Sequence, residues 1–134
     1  MTTKLSSYQF EVVRVNPQGE IIQRDNQKTL HFQEELEYDI ALEMVAIPGG
    51  TFYMGSPKLE EGCLSSQIPQ HLVTLKPFWI SKYPITQQQW KVVSGFPSVE
   101  QSLNAYPAKF SGPHHPVEQV SWYDAKEFCT RLSE

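Results

Sequence analysis

The chain has 134 residues, 40% hydrophobic and 19% charged, with a net charge of −4. That length defaults to one domain with a sizeable core, and neither a basic excess nor an acidic block points to nucleic acid or to a solvating tail. No apolar run reaches the ~20 residues that span a bilayer, and Met1-Thr2-Thr3-Lys4-Leu5-Ser6-Ser7 has no signal-peptide core. The expectation is a cytoplasmic chain with no membrane or nucleic-acid partner, its two cysteines, Cys63 and Cys129, reduced.

Tyr8 to Val15 alternates and is β-rich. Asn16-Pro17-Gln18-Gly19 carries type I turn signals, and Glu20 to Arg24 reads as the returning strand of a hairpin. Asp25 to Asp39 is polar and reads as an extended connector with one weak strand near Leu30 to Phe32. Its carboxylates, Gln33-Glu34-Glu35-Leu36-Glu37, read as a solvated face. Met44 to Ser56 reads as strand, Pro48-Gly49-Gly50 turn, strand, the two glycines supplying backbone conformations that other residues avoid.

Gly55 to Pro69 is a long loop. His71 to Leu75 and Phe78 to Tyr83 are strands, stopped by Pro77 and Pro84. Thr86 with Gln89 forms a capping box that opens a helix carrying Trp90 and Val93 on one face and ending at Gly95. Phe96 to Pro116 is a second loop, pinned to the core by Leu103, Tyr106 and Phe110. Ser121 with Asp124 opens a second helix whose apolar face is Trp122, Ala125, Phe128-Cys129 and Leu132. The ten prolines fit a loop-rich fold, and most of the three Trp, six Tyr and seven Phe are expected in the core.

Four blocks in order resemble the formylglycine-generating enzyme, or sulfatase-modifying factor, family. They are Met44-Val45-Ala46-Ile47-Pro48-Gly49-Gly50-Thr51-Phe52-Tyr53-Met54-Gly55-Ser56; Pro69-Gln70-His71-Leu72-Val73-Thr74-Leu75; Phe78-Trp79-Ile80-Ser81-Lys82-Tyr83-Pro84-Ile85-Thr86 with Trp90; and His115-Pro116-Val117-Glu118-Gln119-Val120-Ser121-Trp122-Tyr123-Asp124-Ala125 with Phe128-Cys129. The resemblance implies an α+β, irregular C-type-lectin-like fold over residues 40–134. Residues 1–39 form a β-hairpin extension and linker of the kind that precedes this domain in some bacterial, notably cyanobacterial, members. It also implies an enzyme family that oxidises a client cysteine to formylglycine with oxygen and copper held by two cysteines, with calcium elsewhere. Those cysteines and calcium ligands belong to the family's C-terminal half, past the second helix. No catalytic, cofactor-binding or metal-binding residue is therefore assigned in this chain: catalytic none, cofactor-binding none, metal none. Cys129 matches a cysteine that some members pair in a disulfide with a partner further along.

Three functions follow as expectations. The first is a truncated domain, inactive alone. The second is a lectin-like module that binds a protein or ligand through Gly55 to Pro69 and Phe96 to Pro116. The third is part of a split copper-dependent oxidoreductase, active when a C-terminal half-domain supplies the cysteines; the expected partners are that half-domain or a protein client. Among residues that could carry chemistry, Cys63 reads as a loop cysteine and Cys129 as a core cysteine. The adjacent His114-His115 pair is a poor chelate, and His31 and His71 read as surface or partly buried. Trp79, Trp90 and Trp122 could form a ligand platform but sit at core-like positions, and capping accounts for Asp124.

Overall fold

The computed structural model describes residues 4–134, so the start of the segment read for a signal core, residues 1–3, lies outside it. The chain forms two compact units, one of residues up to Val45 together with Ser81–Glu134, the other Ala46–Ile80. No helix among the described residues is long and apolar enough to cross a membrane.

In the first unit, β1 (Ser6–Val15) and β2 (Ile21–Glu35) form an antiparallel ribbon. The turn falls where Asn16 and Gly19 place it. The Asn16 carbonyl accepts from Gly19 N at 3.0 Å, and Asn16 Oδ1 accepts from Gln18 N and Glu20 N at 3.0 and 2.9 Å. The connector read over Asp25 to Asp39 is mostly strand: β2 continues without a break to Glu35. Polar residues do not interrupt a ribbon that meets water on its faces. Backbone pairing carries β2 instead, to β1 as far as His31 and to β3 (Ala41–Ile47) from His31 to Glu35. The strand order is β1-β2-β3-β6, with β6 at Phe78–Ser81; β3 and β6 each run from one unit into the other.

The β2–β3 connection is a tight turn that the sequence did not announce. Glu37 O accepts from Ile40 N at 3.3 Å, and Tyr38 and Asp39 hold φ of 61° and 55°. Two successive positive-φ residues are the hairpin geometry that normally selects Asn-Gly. A tyrosine there is disfavoured by about 1 kcal/mol or more.

Helix α1 (Gln87–Ser94) starts with the expected capping box. Gln89 does more than cap. Its Oε1 accepts from Thr86 N at 2.9 Å, and its Nε2 donates to Ala41 O at 2.7 Å, tying the helix start to β3. The next donors of the first turn, Gln87 N and Gln88 N, reach the carbonyls of His115 and Pro113. Gly95 ends the helix as read, but in the right-handed region (φ −81°), its N–H on Val92 O, without the left-handed cap that glycine usually provides.

Helix α2 (Trp122–Ser133) is capped by Ser121 and Asp124 as expected, but its buried face differs from the one read. Glu127, Phe128 and Arg131 are buried, Leu132 packs on the core, and Trp122, Ala125 and Cys129 are exposed. Cys129 is therefore not a core cysteine. The core is small: Trp90 and Phe128 stack at 5.0 Å with planes 3° apart, joined by Val93 and by half-buried Leu36, Ile85, Phe96, Leu103, Val117, Val120 and Leu132. Burying a side chain such as Phe128 contributes about 2–3 kcal/mol.

Most aromatics are not in this core. Among the described residues only Trp90 and Phe128 are buried, whereas Trp79 is 40% and Trp122 71% exposed. Tyr106 and Phe110, read as loop pins, are 71% and 68% exposed. Leu103 does pack on the core, and polar bonds do the rest. Trp90 Nε1 donates to Asn104 O at 2.9 Å, and Gln87 donates to Phe110 O and accepts from Gly112 N.

In the second unit, β4 (Gly50–Met54) pairs antiparallel with β5 (His71–Leu75), and Thr51 and Thr74 share a 2.9 Å hydroxyl contact. The strand-turn-strand read over Met44 to Ser56 is thus no hairpin, since β3 and β4 belong to different sheets. Nor does Gly49 adopt a left-handed conformation: a Cβ there would lie 2.9 Å from Leu75 O, so close approach demands glycine, while Gly50 has open space. Gly55 is different, with φ +92° and a Cβ position 2.5 Å from Gln67 O. The loop it opens closes on itself through Ser56 N to Gln67 O at 2.9 Å and a 3-10 turn at Ser65–Gln67.

Gln89→Ala removes the bonds to Thr86 N and Ala41 O together. Urea unfolding is expected to show a loss of about 1–3 kcal/mol, more than cap removal alone, which costs about 1 kcal/mol; a loss no larger than that of Thr86→Ala would show that the bond to β3 contributes nothing.

Candidate functional site

Among the described residues the buried ionisable groups belong to α2. Glu127 and Arg131 stand one turn apart, 2% and 5% exposed, with Arg131 Nε donating to Glu127 Oε1 at 2.6 Å. Glu127 also accepts from the backbone N–H groups of Val99, Glu100 and Gln101 at 2.9, 2.8 and 3.2 Å. Arg131 donates to the carbonyls of Ser94, Phe96 and Gln101 at 2.7, 3.0 and 2.6 Å. Burial pushes the Glu127 carboxyl upward, but the Val99 N–H, Arg131 and the next two N–H groups outweigh it and hold the pKa at about 2. Asp124 is also lowered, by the Ser121 backbone N–H first, then its hydroxyl, with Gln101 adding to them. The pair thus fastens the chain after α1 to α2. Only the i,i+4 Glu–Arg spacing hinted at it, and that pattern ordinarily marks a solvated face.

A cleft of about 800 Å³ opens beside α1 in the same unit, walled by Tyr38, Gln88, Lys91, Tyr106 and Gly112, with Glu37 at its edge. Tyr38 is 82% exposed because the positive-φ turn presents it at its tip. Lys91 Nζ lies 5.2 Å from the Tyr106 ring centre, and its pKa is raised by the Tyr106 hydroxyl, Tyr38 adding a smaller part. The cleft therefore offers two exposed phenol rings and an ammonium held charged. Tyr106 lies in the expected binding loop; Tyr38 and Lys91 were not singled out. The other expected binding loop borders a smaller hollow of about 500 Å³ among Met54–Ser56, Ser66–Pro69 and His71.

Other sequence candidates are dispersed. Cys63 is half-buried in its loop, with Sγ 3.5 Å from Leu64 O, and Cys129 is exposed; both thiols are free. His114 and His115 are exposed, and His31 Nε2 meets Ser6 Oγ at 2.8 Å. His71 Nδ1 lies 3.0 Å from Pro69 O. Among the described residues no three of His, Cys, Asp or Glu converge as ligands of a metal would.

The Glu127 shift fixes a pH dependence. Its folded pKa is depressed from 4.5 to about 2, so its contribution is complete above the unfolded value and is lost as pH falls through about 2. Thermal unfolding is expected to lose stability from about pH 4.5 downward. Glu127→Gln should lower the midpoint at pH 7 by about 10 °C or more and flatten the acid slope, Asp124 supplying what remains; an unchanged slope would exclude Glu127 as its source.

Against this geometry, three comparisons with known proteins bear on the chain. The family model described as the sulfatase-modifying factor enzyme 1-like domain matches residues 30–134. The chain is 35% identical over 91 residues to chaperone protein LppX of Paenibacillus barcinonensis, covering 68% of this chain and 26% of that protein. It is 28% identical over 134 residues to the formylglycine-generating enzyme of Thermomonospora curvata, covering 69% of this chain and 44% of that enzyme. The chain thus spans about a quarter of one relative and less than half of the other. No solved structure matches it. With strands and two helices of α+β type and a family match over most of its length, the chain belongs to the sulfatase-modifying factor enzyme 1-like domain family.

Proposed function

We propose that this chain supplies framework to a sulfatase-modifying-factor-type domain of C-type-lectin-like build and is inactive as an oxidase by itself. The Glu127–Arg131 network carries this reading. The buried ionisable groups are committed to backbone groups of the Ser94 to Gln101 segment, as Gln87 and Gln89 are to neighbouring loops and strand. Such groups hold a shape. The proposal places the chain in the cytoplasm, where Cys63 and Cys129 stay thiols. Copper-dependent conversion of a client cysteine to formylglycine would require two thiolates brought together on the metal.

Cu(I) titration of the chain, combined with thiol-dependent oxygen uptake, tests this. No stoichiometric tight binding and no uptake are expected. Tight one-to-one Cu(I) binding with turnover by the chain alone would overturn the framework reading.

The cleft beside α1 favours a second reading, a protein- or ligand-binding module, because exposed Tyr38 and Tyr106 offer flat apolar faces next to a charged Lys91. Screening saccharides and short peptides by amide chemical shifts should then move Tyr38, Lys91 and Tyr106 together, and Tyr106→Ala should abolish the shifts. Ligands that shift other residues instead would move the binding function elsewhere.

A further inference from the structure

On the cleft side of α1 several polar groups have no partner in the protein. Gln87 and Gln89 spend their amides on loops and on β3. The Gln88 side chain between them makes no hydrogen bond among the described residues, although Gln88 is half-buried in the cleft wall. Lys91 follows three residues on and so shares a face of the helix with it. It is in no ion pair among the described residues, whereas Arg24, Lys82, Lys126 and Arg131 each have one. Lys91 lies over the Tyr106 ring instead, which attracts an ammonium without neutralising it. The Ser111 hydroxyl, also on the wall, is likewise unbonded among the described residues.

These groups select a ligand by its chemistry. The ammonium calls for an anion, and the exposed rings of Tyr38 and Tyr106 call for an apolar ring face. An aromatic acid offers both and nothing else. Seated there, it would take water from the Gln88 amide and the Ser111 hydroxyl and leave them unpaired, a loss of roughly tenfold in affinity for each. A sugar ring meets all of them, because its C–H face packs on a phenol ring while its hydroxyls point outward from the rim. Glu37 sets the charge. It lines the same cleft without pairing with Lys91, so a hydroxyl can donate to it while an anion is directed to the lysine. One ammonium in a cleft that also holds a carboxylate suits a ligand with a single negative charge, not the two of a phosphate monoester.

We propose that the cleft binds a small acidic saccharide, a hydroxylated ring whose one carboxylate sits on Lys91, with its apolar face on tyrosine and its hydroxyls on Gln88, Ser111 and Glu37. The cleft, about 800 Å³, has room for such a ring. The proposal rests on the binding-module reading of this cleft and names its ligand class.

Titration of the full chain with glucuronate, glucose and benzoate, followed by amide chemical shifts, tests it. Glucuronate should shift Gln88, Lys91 and Tyr106 with a dissociation constant of ~1 mM, within reach of a ligand of this size. Glucose and benzoate should each bind at least about tenfold more weakly. Lys91→Met keeps an unbranched stem at an exposed position. It should leave the unfolding midpoint unchanged and erase the preference for glucuronate over glucose. Salt gives the same readout without a variant: about 0.5 M sodium chloride should weaken glucuronate several-fold and leave glucose unaffected. Glucose or benzoate binding as tightly as glucuronate, or a preference that survives Lys91→Met or salt, would overturn the proposal. Neutral sugars or peptides that shift the cleft where glucuronate does not would overturn it and leave the binding-module reading standing; no shift at the cleft with any of these ligands removes both.

Discussion

The buried pair on α2 is the constraint on which the larger unit depends. The segment from Ser94 to Gln101 leaves α1 with backbone groups pointing inward, and a buried amide without a partner costs about 1–3 kcal/mol. Glu127 takes three of those N–H groups, and Arg131 takes three carbonyls from the same stretch. Each charge also neutralises the other. Replacing the pair by apolar side chains would remove its desolvation cost but strand the backbone groups, so the usual argument that buried ion pairs are dispensable does not apply. The rotation of α2 follows. Turning Trp122 and Cys129 inward would move Glu127 and Arg131 away from the segment they satisfy.

Side-chain amides extend the same logic. Gln89 closes the capping box at one end of its amide and holds β3 at the other. Gln87 holds Phe110 O, Gly112 N and Pro116 O. A loop-rich unit with a small apolar core cannot rely on area alone for its shape. It relies on multivalent polar groups whose bonds have direction, and these converge on the two helices that carry the Trp90–Phe128 stack.

This division explains what was legible in the sequence. Capping boxes are local, set by residues three apart, so Thr86–Gln89 and Ser121–Asp124 could be read directly. Strands with apolar alternation, and the proline stops, were equally local. The α+β class came with the family resemblance that the four blocks carry, and these local readings agree with it. The buried face of α2 was not legible, because hydrophobic periodicity counts Trp122 and Cys129 as core and Glu127 and Arg131 as surface, and only a distant loop reverses that assignment. The length of β2 was missed because its polar half is held by pairing partners, not burial. In the candidate site, Tyr106 lay in a loop singled out beforehand. Tyr38 did not, since its placement depends on a hairpin turn formed by residues that avoid positive φ.

The Tyr38–Asp39 turn adds one more step. Two positive-φ residues without glycine persist only where surrounding bonds over-determine them. Here the β2–β3 ladder on one side and Gln89 on Ala41 on the other close the turn from both strands. The same amide that caps α1 therefore helps to hold Tyr38 beside Lys91, a residue of α1 itself. Helix start, strained turn and cleft are one mechanical unit. The cleft keeps its form because its two walls, the helix and the hairpin tip, are tied through Gln89 and through Leu36, which packs on the core that Trp90 and Val93 of the helix share.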